Sequence, residues 1–337
     1  MSWYLQSGKE SDVVISSRVR LSRNIKGIPF TTRAKASDLK RVFDLMKEAT
    51  LSLGYGLNFI ALKDMDDLTR NALAEKHIIS MELAKSQNPY AAILINDDEN
   101  ICIEINEEDH IKLQVFSSGL DLENLMNLAI EIDQKLEEII PYSFNEKYGY
   151  LTACPTNVGT GLKASVLVHL KALSMTGNAR KVLNAINGLG MNVRGLYGEG
   201  TKVEGDMYQI SNNQTLGITE KEIIKNLNLI TQKIIKQEKY ARKYLAQKEV
   251  ELQDIVYRDF GVLSNARKIS EEEIKDLLSS VKLGCDLGII SEVDDKKILE
   301  LMLYTKDSNL QKRVGKKLNS YEREIERANV VKQILNQ

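Results

Sequence analysis

Between Tyr90 and Ser117 three short apolar runs, "YAAILIN", "ICIEIN" and "IKLQVFS", follow one another across the acidic turns "DDEN" and "EEDH". Connections this short leave no room for a crossover helix, so the runs are expected to be consecutive antiparallel strands. In the last of them Ile111, Leu113 and Val115 alternate with Lys112 and Gln114, which puts apolar residues on one face and polar residues on the other. A half-polar sheet needs helices on its apolar side. Apolar residues at three- and four-residue spacing supply them over Ser37–Leu53, Asp66–Lys85 and Leu120–Ile140, the last ending before Pro141.

Further along, Tyr148–Gly217 is rich in glycine and mixes loops with short elements: helices at "ASVLVHLKAL" and "NARKVLNAIN", strands at "NVRGLY" and "VEGDMYQIS". Thr219 with Glu222 forms a capping box that opens a long charged helix to about Gln247, and Ser270 with Glu273 forms another. From Leu252 onward nearly everything has helical periodicity. At 337 residues the chain is long enough for two units. The expected class is α+β: an antiparallel sheet flanked by helices over residues 1–250, then an all-helical C-terminal domain over residues 251–337.

Charge is balanced, with 46 lysines and arginines against 47 acidic residues, so nucleic acid and anionic membrane surfaces are not expected partners. The N-terminus lacks a basic and apolar leader, and no run reaches the ~18 apolar residues of a membrane span, which predicts a cytoplasmic protein. The three cysteines, Cys102, Cys154 and Cys285, are far apart, and there are only three histidines; a structural zinc site or a disulfide framework is not expected.

The stretch "CPTNVGTGLKASV", from Cys154 to Val166, resembles a phosphate cradle without matching a known one. Gly161 is followed by leucine, not by the lysine of a Walker loop, and no strand-helix-strand pattern supports a dinucleotide fingerprint. A helix starting near Leu162, with Lys163 on its first turn, would make an anion site; a plain helix-capping loop fits equally well. Elsewhere, "SSRVRLSRN" places Arg18 and Arg20 two residues apart, so on a strand both guanidinium groups face the same way, as a polyphosphate would require.

Taken in order, "SSRVRLSRN", "NEEDHIKLQ", "CPTNVGTGLKASV" and "VRGLYGEG" resemble the guanidino (phosphagen) kinases, which move the γ-phosphoryl group of ATP to a guanidinium nitrogen. The resemblance covers roughly residues 12–245. It implies a phosphagen-kinase-like sheet, ATP and Mg²⁺ as cofactors, and catalytic roles for Glu108, Glu199 and Cys154. The first two would grip the guanidinium and the thiol would lie beside it. It further implies nucleotide binding by Ser16, Ser17, Arg18, Val19 and Arg20, by His77 and Lys112, by Lys163, Ala164, Ser165, Val166 and Leu167, and by Arg194, Gly195, Leu196, Tyr197, Gly198 and Glu199. The metal would be held through the phosphates, with no protein ligands.

The layout is similar to the bacterial protein-arginine kinase branch: "SSRVR" begins at Ser16, with no helical domain before it, and a long segment follows Glu199. In that branch "REIERA", from Arg323 through Glu324, Ile325, Glu326 and Arg327 to Ala328, would bind phosphoarginine as an allosteric signal. The plain alternative is two arginines on an exposed helix. The resemblance implies protein substrates with accessible arginine, a homodimer, a zinc-binding activator, and delivery of marked proteins to a Clp protease in stress. A free-guanidine metabolite kinase and a weakly active nucleotide- or phosphoarginine-binding regulator are the competing readings. The branch usually has arginine where this chain has Lys112 and Lys163, and aspartate where it has Glu324.

Overall fold

The computed structural model describes residues 3–195 and 205–336. After a 3-10 turn at Trp3–Leu5, β1 (Val14–Arg23) leads into α1 (Ala36–Leu53), β2 (Asn58–Ala61), α2 (Asp67–Glu75) and α3 (Met81–Ala84). The expected meander follows as β3 (Ala92–Ile95), β4 (Ile101–Ile105) and β5 (Ile111–Ser118), and then α4 (Leu122–Ile139). A small ribbon, β6 (Phe144–Asn145) and β7 (Gly149–Tyr150), precedes β8 (Leu162–His169), α5 (Lys171–Met175), α6 (Ala179–Gly188), β9 (Met191–Gly195) and β10 (Met207–Asn212). The remainder is helical: α7 (Glu220–Ala246), α8 (Glu249–Asn265), α9 (Glu271–Asp286), α10 (Asp295–Tyr304), α11 (Asp307–Val314) and α12 (Ser320–Leu335).

The strands form one eight-stranded sheet in the order β2-β3-β4-β5-β1-β8-β10-β9, every pairing antiparallel. Because side chains alternate, register decides what each face carries. One face holds Val19, Leu21, Ile111, Leu113, Val115, Leu162, Ala164 and Val166, which join the hydrophobic core. Against it pack the apolar stripes of α1 (Val42, Met46, Ala49, Leu53), α4 (Leu125, Ala129, Ile132, Leu136) and α7 (Leu227, Ile234). These stripes recur every third or fourth residue, as one helix face requires. The core continues without a break into the C-terminal helices, through Val256, Ile274, Val281 and Leu301 to Val331 and Ile334.

The periodicity over Asp66–Lys85 predicts one helix, but the structure has two. His77 stands between them at φ 60°, a left-handed conformation that ends α2, and the Ser80 hydroxyl accepts from Leu83 N to start α3. The expected helix at Ala164–Leu173 is instead strand β8, with only α5 helical. Its residues alternate between faces, and its backbone is paired on both sides, with β1 and with β10. Two ladders outweigh the helical preference of "LKA". The capping box at Thr219–Glu222 is reciprocal, whereas Ser270 caps Glu273 N with no return bond from Glu273.

Candidate active site

The other face of the sheet is the polar one. β1 turns Ser16, Arg18 and Arg20 onto it; the β8 register sets Arg18 opposite Ser165 and Arg20 opposite Lys163, and the β5 register sets Arg20 opposite Gln114 and Ser22 opposite Lys112. Through β10, where Gln209 pairs both Leu167 and Arg194, the same face extends to β9. Strands from four separate motifs therefore deliver Arg18, Arg20, Lys112, Lys163 and Arg194 to one surface. The alternation turns Ser17, Val19, Ala164 and Val166 to the opposite side, where they are buried; the Ser17 hydroxyl donates to Gly119 O at 2.7 Å and accepts from Asp121 N at 3.1 Å.

Crowded cations without a counter-charge are uncomfortable. Burial, and then the neighbouring charge of Arg20, lowers the basicity of Arg18; burial and Arg194 act likewise on Arg20, opposed by Glu104, Glu107 and Glu108. Lys163 is pulled down to about 8 by burial and by Arg20 and Arg194, with Cys154 acting in the opposite sense. Its amine donates to Asn212 O at 2.6 Å. Lys112 differs, being clasped between Glu104 at 2.7 Å and Glu107 at 2.8 Å. Among the described residues the surface thus has positive charge without an ion pair at Arg18, Arg20 and Lys163 and neutralised charge at Lys112.

The acidic turn is a built structure. Glu107 accepts from Lys112, from the Ser80 hydroxyl at 2.9 Å and from Glu108 N at 2.7 Å, so its oxygens are occupied. Asp109 is buried and accepts from Asn24 Nδ2 and from Ala153 N, both at 2.7 Å, tying the turn to the end of β1 and to the residue before Cys154. His110 accepts from Ile25 N at Nδ1 and donates from Nε2 to Pro29 O. Glu108 is held only by its backbone: its N–H bonds Glu107, its carbonyl accepts from the Thr31 hydroxyl, and its carboxylate is exposed and unpaired among the described residues. Partial desolvation, then Asp109 and Glu107, push that carboxyl above the ordinary carboxylate range.

Cys154 precedes the short turn Pro155–Asn157, its Sγ 3.0 Å from Thr156 Oγ1. The loop that carries it is positioned by a residue the sequence analysis passed over. Arg23, the third arginine of "SSRVRLSRN", is buried, pairs with Asp133 at 2.7 Å, lies 3.5 Å over the Tyr150 ring and donates to Thr160 O at 3.0 Å. Its place one residue out of phase with Arg20 and Ser22 was the available signal, since alternation sends it to the core side. No helix N-terminus forms at Leu162, so the expected anion site there is replaced by the cations of the sheet face.

His77 is half-buried beside Arg18 and Lys306; desolvation and then those charges hold its imidazole well below the usual histidine range and so neutral. Gly195 ends β9, and Arg194 is exposed near Arg20 and Lys163. Leu196, Tyr197, Gly198 and Glu199 lie outside the described residues. In α12, Arg327 is 1% exposed, so the pair is not the surface pair of the plain reading. Arg323 and Arg327 take the two carboxylate oxygens of Asp307, at 2.9 and 2.5 Å, and Arg327 also donates to Thr305 O and Ile269 O. Glu324 pairs with Lys268 at 2.8 Å; Ala328 is buried and Ile325 and Glu326 are half-buried.

Among the described residues no group of three or more His, Cys, Asp or Glu side chains could hold a metal ion, and no helix is long and apolar enough to cross a membrane.

The catalytic domain of the ATP:guanido phosphotransferases matches residues 38–241, and the C-terminal domain of the protein-arginine kinase McsB matches residues 249–337. A protein-arginine kinase of Halothermothrix orenii is 48% identical over 336 residues, 99% of this chain and 96% of its own length. That of Bacillus subtilis is 43% identical over 340 residues, 99% of this chain and 93% of its own length. Among solved structures, the duplicated taurocyamine kinase of Schistosoma mansoni with transition-state-analogue components aligns with a TM-score of 0.61 at 25% identity, over 69% of this chain and 34% of that one. A lombricine kinase aligns with a TM-score of 0.60 at 25% identity over 71% of each chain. With family models matching most of its sheet and its terminal helices, the chain belongs to the ATP:guanido phosphotransferase family and carries the C-terminal domain of its protein-arginine kinases.

Proposed function

We propose that the protein transfers the γ-phosphoryl group of ATP to arginine side chains of other proteins, with residues 1–250 as the catalytic unit and residues 251–337 as a helical regulatory unit. The observation that carries this reading is the meeting, at one sheet face, of cations and a neighbouring carboxylate that have no ion pair among the described residues, the carboxylate's proton affinity being raised. A guanidinium is a poor nucleophile until oriented and deprotonated. Glu108 would orient it and take its proton as the nitrogen attacks phosphorus and the bond to the departing ADP oxygen breaks. Glu199 is assigned the second carboxylate, and Cys154 a place beside the guanidinium.

On the donor side phosphoryl transfer needs alignment and charge neutralisation more than covalent help. Arg18, Arg20, Lys163 and Arg194 would surround the triphosphate, with Lys112, buried beside them, sharing its charge between Glu104 and Glu107. Magnesium fits only as an ion carried on phosphate oxygens, where it would supply further neutralisation. Ser16, Ser165 and Leu167 share the face and are assigned to the nucleotide with His77. The resemblance extends the proposal to a homodimer, a zinc-binding activator, a Clp protease as recipient of marked proteins, a cytoplasmic location, and phosphoarginine recognition at Arg323–Ala328.

Mass spectrometry under non-acidic conditions, after incubation with Mg-ATP and either an unfolded basic protein or free arginine, tests this. Phosphoarginine should appear on the protein and fall by about 10²–10⁴-fold in Glu108→Gln, the range for loss of a general base. Phosphorylation of free arginine alone would make the chain a metabolite kinase instead.

A further inference from the structure

The sheet face that carries Arg18 has a second wall. Above it lies a cavity of about 180 Å³, bounded below by Ser16, Arg18 and Leu167 of the sheet and above by Ile274 and Leu278 of α9 and Met302 of α10. Ile274 and Leu278 are one helical turn apart and 1% and 3% exposed, so they are fixed by the C-terminal core and present one side of α9 to the cavity. The helical wall is mainly apolar, with Glu271 and Lys275 of α9 also lining it; the sheet wall adds hydroxyl and amide groups from Ser165 and Gln209. We infer that α9 and α10 complete the nucleotide pocket, so that the base of ATP lies between the catalytic sheet and the C-terminal helices of the same chain, with Leu278 and Met302 as specificity-determining contacts.

This rests on the nucleotide reading of the sheet face and goes further, by placing the base. Arg18 borders the cavity at the end leading to Arg20 and Lys163, which fixes where an anionic tail would go. What remains for the body of the ligand is a space with a mainly apolar roof and hydrogen-bonding groups on its floor, suited to a flat heteroaromatic ring. Trp3, which also lines the cavity and stacks on Phe116, has an indole N–H without a partner among the described residues. Lys306, the residue that precedes α11, closes one side by donating to Glu75 O at 2.6 Å.

Trp3 is the one tryptophan in the sequence, so its emission reports on this cavity directly. The full chain would be titrated with Mg-ATP and with Mg-tripolyphosphate, using calorimetry for affinity and Trp3 emission for location. ATP should perturb the emission of the unmodified protein. Leu278→Phe, which fills the cavity, and Met302→Ala, which opens it, should each weaken ATP about tenfold, as a changed contact in an apolar pocket does, and leave tripolyphosphate unchanged. Thermal melting shows whether each variant folds; Met302 is half-buried and keeps the test available if Leu278→Phe does not. Unchanged ATP affinity in the folded variants, equal losses for both ligands, or ATP binding that leaves Trp3 emission untouched would each overturn the wall. An unmodified protein that binds neither ligand would instead overturn the nucleotide reading itself.

Discussion

Lys163 stands where the motif resemblance implies arginine, and a lysine there has a titratable consequence. Its amine is held near 8 by burial and by Arg20 and Arg194, so in the empty site it loses its proton just above neutrality. A triphosphate binds the charged form better and raises that pKa on binding. Affinity for ATP should therefore be full below about pH 8 and fall as pH rises through it, by up to about tenfold per unit, until the pKa of the bound form is reached. The KM for ATP measured between pH 7 and 9.5 checks this, and Lys163→Arg should flatten the profile because a guanidinium keeps its charge. Glu108 is the matching case among the acids: crowding by Asp109 and Glu107 is visible in "NEEDH", but that Glu107 would be occupied, leaving Glu108 unpaired among the described residues, is decided by Ser80 and Lys112, which only the fold brings near.

At the scale of elements, the meander, the long helices and the shared face of Arg18 and Arg20 could be read from alternation and turn chemistry, because each is a local pattern. Strand β8 could not: leucine, lysine and alanine favour a helix, and only the neighbouring β1 and β10 ladders make "LKASVLVH" extended. The break at His77 was equally hidden, since a left-handed histidine has no sequence signature. Arg23 was hidden for another reason. It belongs to the same motif as Arg18 and Arg20, yet the pleat sends it to Asp133, Tyr150 and Thr160, where it braces the loop bearing Cys154. That brace leaves no room at Gly161, which sits at φ 64° and whose added Cβ would fall 2.5 Å from Arg23 Nη1 and 2.6 Å from Ser22 O. Gly161→Ala should cost more than about 1 kcal/mol in denaturant unfolding and lower turnover, because the residue cannot adopt the backbone it replaces.

In the whole molecule, the sheet and the terminal helices are joined by more than apolar contact. Glu75, at the end of α2, accepts from Ser308 N at 2.7 Å and Asn309 N at 2.9 Å, capping α11 with a carboxylate supplied by a distant part of the chain. Glu75→Gln should lower stability by about 2 kcal/mol, the usual worth of charge-assisted hydrogen bonds, and do so in one unfolding transition because the core is continuous. The eight-stranded register carries a different consequence, for the kinds of change a lineage can accumulate. Substitutions can adjust single contacts on the polar face, as Lys163 illustrates. Gain or loss of one residue inside β1 would exchange its two faces, driving Arg18 and Arg20 into the packed helices and Val19 and Leu21 into the place of the phosphates. Length in that strand is therefore a stricter inheritance than identity.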